Sequence, residues 1–322
     1  MTAGQTGPDR LAFVNDICLS SAALLDRLRV LAPELELPKR AVVWENDEPP
    51  AELGSVRFWV PGPVQANPAV IRRAIEAMPA LQVVQTQSAG VDNFVGVVPD
   101  GITLCDARGV HGSSTSEWAL TAILAVLREF PRFERARLDQ RWDQGVTDEL
   151  AGKRVLIIGA GDVGEQLARR VSACDAEPVM VARRARPGVH GVDELPGLLG
   201  TADVVVLMVP GTTETIGMVD RDFLARMPDG ALLVNAARGP VVRTDALLAE
   251  LGSGRLRAAL DVTDPEPLPG GHPLWTAPNL LLTPHIGGAV LGFFERLAAL
   301  LAAQLRRFED GQQLQNVVTG EY

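Results

Sequence analysis

The apolar positions of this chain fall in short bursts separated by longer amphipathic stretches. Over the first hundred residues, Leu11–Val14, Ala41–Trp44, Val56–Val60 and Leu81–Thr86 predict strands, and Ile102–Asp106 predicts another. Asn67-Pro68 predicts a helix running to about Met78, with the asparagine as cap and the proline in the first turn. Ser114-Thr115-Ser116-Glu117 reads as a capping box that opens an apolar helix from Trp118 to about Arg128. The stretch from Phe133 to Leu150 is more polar and carries no strand pattern.

Beyond it the alternation becomes regular. Strands are expected at Arg154–Ile158, Pro178–Val181, Val204–Val209, Ala231–Asn235, Arg257–Val262 and Leu280–Thr283. Helices are expected from Gly161 to about Ser172, over Asp220–Met227, over Thr244–Leu251 with Thr244 as cap, and from about Gly292 to Phe308. Leu314–Val318 reads as a last short strand or as a tail packed on the first domain. Strands recurring with helices between them are βαβ units, so the fold class is α/β with doubly wound parallel sheets.

At 322 residues the chain has room for two domains, and 47% hydrophobic with 22% charged residues suits two ordinary cores. A net charge of −10 argues against nucleic acid or an anionic membrane as partner, since either needs a basic face. Cys18, Cys105 and Cys174 are odd in number and far apart, which suits a reducing compartment and neither a disulfide frame nor a metal site. Met1 to Asp9 is polar, without the apolar core of a signal peptide, and no apolar run is long enough to span a membrane. A cytoplasmic protein without a metal is expected.

The sharpest chemical feature is Gly159-Ala160-Gly161-Asp162-Val163-Gly164, between the strand Val155-Leu156-Ile157-Ile158 and the helix that follows. Gly159 suits a tight turn, Gly161 lets a pyrophosphate approach the backbone, and Gly164 permits close packing of helix on strand. The diphosphate of a dinucleotide then meets free N–H groups at the positive end of the helix. An NAD site ends its second strand in Asp or Glu, which accepts from the ribose diol. Here Ala182 stands at that position and Arg183-Arg184-Ala185-Arg186 follows. Arg183, Arg184 and Arg186 suit a 2′-phosphate, so NADP(H) is the preferred cofactor and NAD(H) the second choice.

Three further residues stand at strand ends and so belong near the ligand crevice of an open α/β sheet: Arg238 and His285 just after strands, and Asp261 near the end of Arg257–Val262. Glu266 lies in a proline-bracketed loop within reach of His285. A cation, an acid and a carboxylate to orient that acid are what hydride transfer to a 2-keto acid requires. Position alone leaves blander roles open: a surface cation for Arg238, a cap for Asp261, a satisfied structural histidine for His285. His111, His190 and His272 lie in loops and read as structural.

The segments around these residues resemble those of the D-isomer-specific 2-hydroxyacid dehydrogenases. Asn235-Ala236-Ala237-Arg238-Gly239-Pro240-Val241-Val242 resembles their arginine signature. Leu260–Leu268 resembles their glutamate segment, and Leu282-Thr283-Pro284-His285-Ile286-Gly287-Gly288 their histidine segment. Val209-Pro210 with Thr213-Glu214-Thr215 resembles a cofactor-side loop, and Ser88-Ala89-Gly90-Val91-Asp92 a substrate-side loop whose N–H groups meet the carboxylate.

The resemblance implies that Arg238 binds the keto-acid carboxylate and carbonyl, that His285 is the acid–base and that Glu266 pairs with it. It places Asp261 at the nicotinamide end and implies cofactor contacts at Val209, Pro210, Thr215, Ala236, Ala237, Arg238, His285 and Gly287. It implies substrate contacts at Ser88, Ala89, Gly90, Arg238 and His285. It implies a Rossmann domain at 107–289 inserted into a flavodoxin-like substrate domain at 1–106 plus 290–322, with the active cleft between them, and a homodimer. The short chain and basic cofactor turn look most like the glyoxylate/hydroxypyruvate reductases, acting on a small keto acid or D-2-hydroxy acid. Asp175 replaces a usual glycine, which is expected to be harmless. The alternatives are a catalytically silent dinucleotide sensor of the same fold, and a dehydrogenase using another donor such as formate or phosphite.

Overall fold

The computed structural model describes residues 16–46 and 48–320. The strand expected at Leu11–Val14 lies outside them. The chain divides into two compact units, Met1–Val110 with Phe294–Tyr322, and His111–Phe293.

The first unit holds a five-stranded parallel sheet of β1 (Ile17–Leu19), β2 (Ala41–Val43), β3 (Phe58–Val60), β4 (Val83–Gln85) and β5 (Thr103–Cys105). Its order, β2-β1-β3-β4-β5, is the flavodoxin-like order. Helices α1 (Ala22–Leu31) and α2 (Pro68–Ala77) flank it, the second capped by the Asn67 side chain as expected. Ile71, Ala74 and Met78 of the α2 region pack with Cys18, Trp59 and Val84 of the sheet in one core. Burial pushes the Cys18 and Cys105 thiols up to about 12.

The C-terminal helix, Phe293–Glu309, supplies most of the last stretch of this unit. Phe308 meets Phe58 edge-on at 5.4 Å, Arg40 bridges Asp16 and Glu309, and buried Gln304 donates to Gln85 at 2.7 Å. The tail after it forms an isolated antiparallel bridge, Cys105↔Val317, rather than a strand.

The second unit contains seven parallel strands: β6 (Arg154–Ile158), β7 (Glu177–Ala182), β8 (His190–Gly191), β9 (Val204–Leu207), β10 (Leu232–Asn235), β11 (Arg257–Leu260) and β12 (Leu280–Leu282). Their order is β12-β11-β10-β9-β6-β7-β8, so the connection reverses between β6 and β9 and creates a switch point there. Helices α3 (Gly112–Leu127), α4 (Phe130–Leu138), α5 (Asp162–Ser172), α6 (Leu195–Leu199), α7 (Arg221–Arg226) and α8 (Thr244–Ser253) surround it. Successive strand residues feed opposite cores: Leu156, Ile158, Val205, Leu207 and Leu233 lie in one, Val155, Ile157, Val204, Val206 and Val234 in the other. A sheet covered on both faces therefore reads as a continuous apolar run, which is why β6, β9 and β10 are plain in the sequence.

Several local expectations are corrected. The helix expected to open at Trp118 begins at Gly112, with no side-chain cap. Ser114 and Ser116 lie inside it and turn their hydroxyls back to the carbonyls of His111 and Gly112. Gly112 lies close against α5, where a Cβ would stand 2.0 Å from Asp162 Oδ2 and displace that side chain. Thr244 is the first residue of α8, not its cap, and Gly254 ends the helix at φ +75°. Asp175 adopts φ +56°, the conformation a glycine takes without strain, and its carbonyl accepts from Gly152 N–H at 2.8 Å.

Candidate active site

The glycine loop joins β6 to α5. Gly159 sits at φ +115°, and a Cβ there would lie 2.2 Å from Met208 O on the neighbouring β9 side. A Cβ at Gly164 would lie 1.9 Å from Gly159 O, so this glycine brings the first turn of α5 against the loop. At Gly161 nothing lies within 4 Å. Two glycines thus meet protein backbone while the middle one faces open space. Gly161 is the N-cap residue and brings no side-chain cap, which leaves the first N–H groups of α5, at Asp162, Val163 and Gly164, without helical acceptors. An open cradle at Gly161 beside unsatisfied N–H donors fits a dinucleotide pyrophosphate.

At the next strand end, β7 stops at Ala182 with no acid. Of the three arginines beyond it, Arg183 lies 3.2 Å from Glu214, and Arg186 donates to the Ala160 carbonyl of the glycine loop at 2.6 Å. Arg184 is exposed and pairs with nothing among the described residues. The basic turn therefore stands beside the glycine loop, tied to it by Arg186. The loop after β9 closes through Thr215, whose hydroxyl donates to Pro210 O at 2.6 Å and accepts from Thr212 N–H. Val209 packs against the adjacent core.

The acid–base candidates converge at the ends of β10, β11 and β12. Asn235, buried at the end of β10, spans the next turn: its Nδ2 donates to Arg238 O at 2.9 Å and its Oδ1 accepts from Ala237 N–H at 3.0 Å. Arg238 Nη1 donates to Ala237 O. Gly239 lets this turn lie against the next loop, where a Cβ would stand 1.8 Å from Thr263 O. That loop carries Glu266, whose Oε1 lies 2.5 Å from His285 Nδ1.

The His285–Glu266 side chains are 50% and 39% exposed, and a pair so open adds at most about 1 kcal/mol to stability. Its consequence is orientation. With Nδ1 held by a carboxylate, Nε2 is the nitrogen left to exchange a proton with a ligand.

His285 itself sits at φ +55°, a left-handed conformation that costs a non-glycine residue about 1 kcal/mol. Buried Asp261 holds it there. The Asp261 carbonyl accepts from His285 N–H at 2.7 Å. Its Oδ1 accepts from Ile286 N–H at 2.9 Å and from the Thr283 hydroxyl at 2.6 Å, and its Oδ2 accepts from Gly287 N–H at 2.7 Å. Gly287 must be small, since a Cβ would approach that oxygen to 2.9 Å.

In the first unit, Ser88-Ala89-Gly90 forms a turn after β4. Ser88 O accepts from the Thr86 hydroxyl and from Ala107 N–H, and Ser88 Oγ donates to Gly90 O at 2.7 Å. The N–H groups of Ser88, Ala89 and Gly90 find no acceptor among the described residues. Asn235, Thr283 and Trp118, which support the site, were not singled out from the sequence. A buried polar residue closing a strand was the available signal for Asn235.

The chain matches known proteins over the same segments. The family model "D-isomer specific 2-hydroxyacid dehydrogenase, NAD binding domain" matches residues 120–287. A glyoxylate reductase of Thermofilum pendens is 34% identical over 248 residues, covering 72% of this chain and 73% of the relative. A D-3-phosphoglycerate dehydrogenase of Archaeoglobus fulgidus is 32% identical over 268 residues, covering 79% of this chain but 50% of that longer protein. A D-isomer-specific 2-hydroxyacid dehydrogenase from Xanthobacter autotrophicus Py2, solved with NADPH and MES, superposes with a TM-score of 0.80 at 30% identity, over 95% of this chain and 98% of that one. With its two parallel sheets and glycine loop, the chain belongs to the D-isomer-specific 2-hydroxyacid dehydrogenase family, whose members are NAD(P)-dependent oxidoreductases.

Proposed function

We propose that this chain is an NADP(H)-preferring reductase of small 2-keto acids to D-2-hydroxy acids, of the glyoxylate/hydroxypyruvate type. The observation that carries the chemistry is the His285–Glu266 pair at 2.5 Å, on a loop fixed by buried Asp261 and beside the Arg238 turn. Bound at the glycine loop, the cofactor supplies the hydride. Arg238 holds the keto-acid carboxylate and polarises the carbonyl. His285 Nε2 gives its proton to the carbonyl oxygen as negative charge develops there, and Glu266 keeps the imidazole aligned through Nδ1. The reverse reaction uses the same groups, with His285 as base.

The unit formed by Met1–Val110 and Phe294–Tyr322 is the substrate domain in this reading, and its unpaired N–H groups at Ser88, Ala89 and Gly90 suit a carboxylate. The cofactor contacts fall on the glycine loop, Val209-Pro210 and Thr215, Ala236–Arg238, Asp261, His285 and Gly287. NADP(H) preference is supported by Ala182 in place of an acid and by exposed Arg184 beside Arg183 and Arg186. The similarity to a glyoxylate reductase supports the substrate class. Addition of glyoxylate or hydroxypyruvate to purified protein with NADPH is expected to consume the cofactor and yield, from hydroxypyruvate, the D-hydroxy acid. No consumption across a broad keto-acid panel refutes the reading.

The reading includes a cytoplasmic homodimer. Three free cysteines suit the reducing compartment. Among the described residues, no helix is long and apolar enough to cross a membrane. Trp142 is 94% and Val146 97% exposed, close in sequence to exposed Phe130 and Leu138, and these four apolar side chains, set among charged residues, suit burial against a second copy. Light scattering is expected to give twice the chain mass for the parent and a shift to monomer for Trp142→Asp with Val146→Asp. A parent that is monomeric at micromolar concentration contradicts this assignment.

A further inference from the structure

One contact to the histidine loop comes from a distant helix. Trp118, on α3, donates its indole N–H to Thr283 Oγ1 at 3.0 Å, across 165 positions of sequence. An indole nitrogen can only donate. The Thr283 oxygen must therefore accept from Trp118, and its single proton is left for Asp261 Oδ1, 2.6 Å away. The indole thus sets the direction of the hydroxyl, and the hydroxyl fills an acceptor site of the carboxylate that also binds the N–H groups of Ile286 and Gly287. The ring lies close to the same loop: a Cβ at Gly287 would be 3.6 Å from Trp118 Cγ. The ring of Trp118 also packs against the core between α3 and the sheet, so its position is fixed independently of the loop.

We propose that Trp118 is a positioning residue for His285, acting through Thr283 and Asp261 to hold the histidine loop in its left-handed turn. The inference rests on the reading of His285 as the acid–base. Without the indole N–H the Thr283 hydroxyl regains its rotation, and Asp261 shares its two oxygens less firmly between Ile286 and Gly287. The imidazole then spends less time where Nε2 meets the substrate. The groups assigned to the substrate carboxylate, Arg238 and the Ser88–Gly90 turn, are unaltered, so the loss falls on kcat more than on KM.

The test uses the full chain with Trp118→Phe, Thr283→Val and Thr283→Ser, and the double variant Trp118→Phe/Thr283→Val. Phenylalanine keeps most of the ring and removes the N–H; serine keeps the hydroxyl. Expected are a roughly tenfold fall in kcat for Trp118→Phe and for Thr283→Val, with KM for the keto acid within about twofold of the parent. Thr283→Ser recovers most of what Thr283→Val loses. The double variant is no worse than the poorer single one, because both cut one chain of hydrogen bonds. Amide exchange at Ile286 and Gly287 is expected to quicken about tenfold in Trp118→Phe, whether or not the keto acid chosen is a good substrate. An unchanged kcat with unchanged exchange overturns the inference, as does a kcat loss that serine at 283 fails to recover. A parent protein that turns over no keto acid, yet shows the exchange change, overturns the functional reading and leaves the hydrogen-bond chain standing.

Discussion

Replacement of His285 by alanine is expected to lower kcat for keto-acid reduction by about 100- to 10,000-fold, the usual worth of a positioned acid–base. NADPH should still bind within about threefold of the parent, and the melting temperature should barely move. The stability expectation follows from exposure: half of the His285 side chain faces solvent, and the Glu266 pair contributes at most about 1 kcal/mol. Glu266→Gln should lose less, about ten- to a hundredfold, because the imidazole remains but its Nδ1 partner is weakened. The same pair of variants separates an enzyme from a silent dinucleotide sensor of this fold. A sensor keeps its function when His285 is removed. Joint loss of turnover, cofactor binding and melting temperature in His285→Ala would mean that the histidine is a structural part of the loop.

The glycine loop yields the second large effect, as a contrast between two substitutions of the same size. Gly161→Ala adds a Cβ into open space, so stability should stay within about 1 kcal/mol of the parent. NADPH affinity should fall by at least about tenfold, because the methyl group occupies the face on which the pyrophosphate rests. Gly164→Ala puts its Cβ 1.9 Å from the Gly159 carbonyl oxygen, and either the loop or α5 must shift. That variant should lose both stability, by about 1–3 kcal/mol, and cofactor affinity. Thermal melts and cofactor fluorescence titrations on the two proteins read both quantities. An unchanged NADPH affinity in Gly161→Ala would show that no phosphate lies against that glycine.

Much of the second unit was legible because burial on both faces writes itself as an apolar run. Val204–Leu207 and Leu232–Asn235 are buried at every position, and β6 at all but its first. Its loops were legible for a different reason: Arg238, Asp261 and His285 each follow a strand, and a parallel sheet carries all such ends to one edge. The first unit was harder. Its first strand, β1, is only Ile17-Cys18-Leu19, too short for any period to register, and no strand was expected there. Strand β8 and helix α6 went unrecognised too, being two and five residues long.

Buried serines at 114 and 116 imitated a capping box, because their hydroxyls satisfy themselves on the preceding turn while their small size serves packing. The support of the site was illegible in principle. Trp118 and Thr283 are joined by a hydrogen bond between residues on different elements, and nothing in either segment alone announces it. The missing acid at Ala182 was legible, whereas the pairing of Arg183 with Glu214 and of Arg186 with the glycine loop joins residues far apart in sequence and leaves no local pattern.

The central claim joins two parts, a keto acid reduced and NADPH preferred, and one measurement addresses both. It is kcat/KM of the unaltered protein for glyoxylate and hydroxypyruvate, taken with saturating NADPH and with saturating NADH. Turnover of at least one keto acid is expected, with NADPH favoured by about tenfold or more, and with that preference lost when Arg183, Arg184 and Arg186 are replaced together by alanine. Turnover that is faster with NADH, or no turnover with either cofactor, would contradict the account.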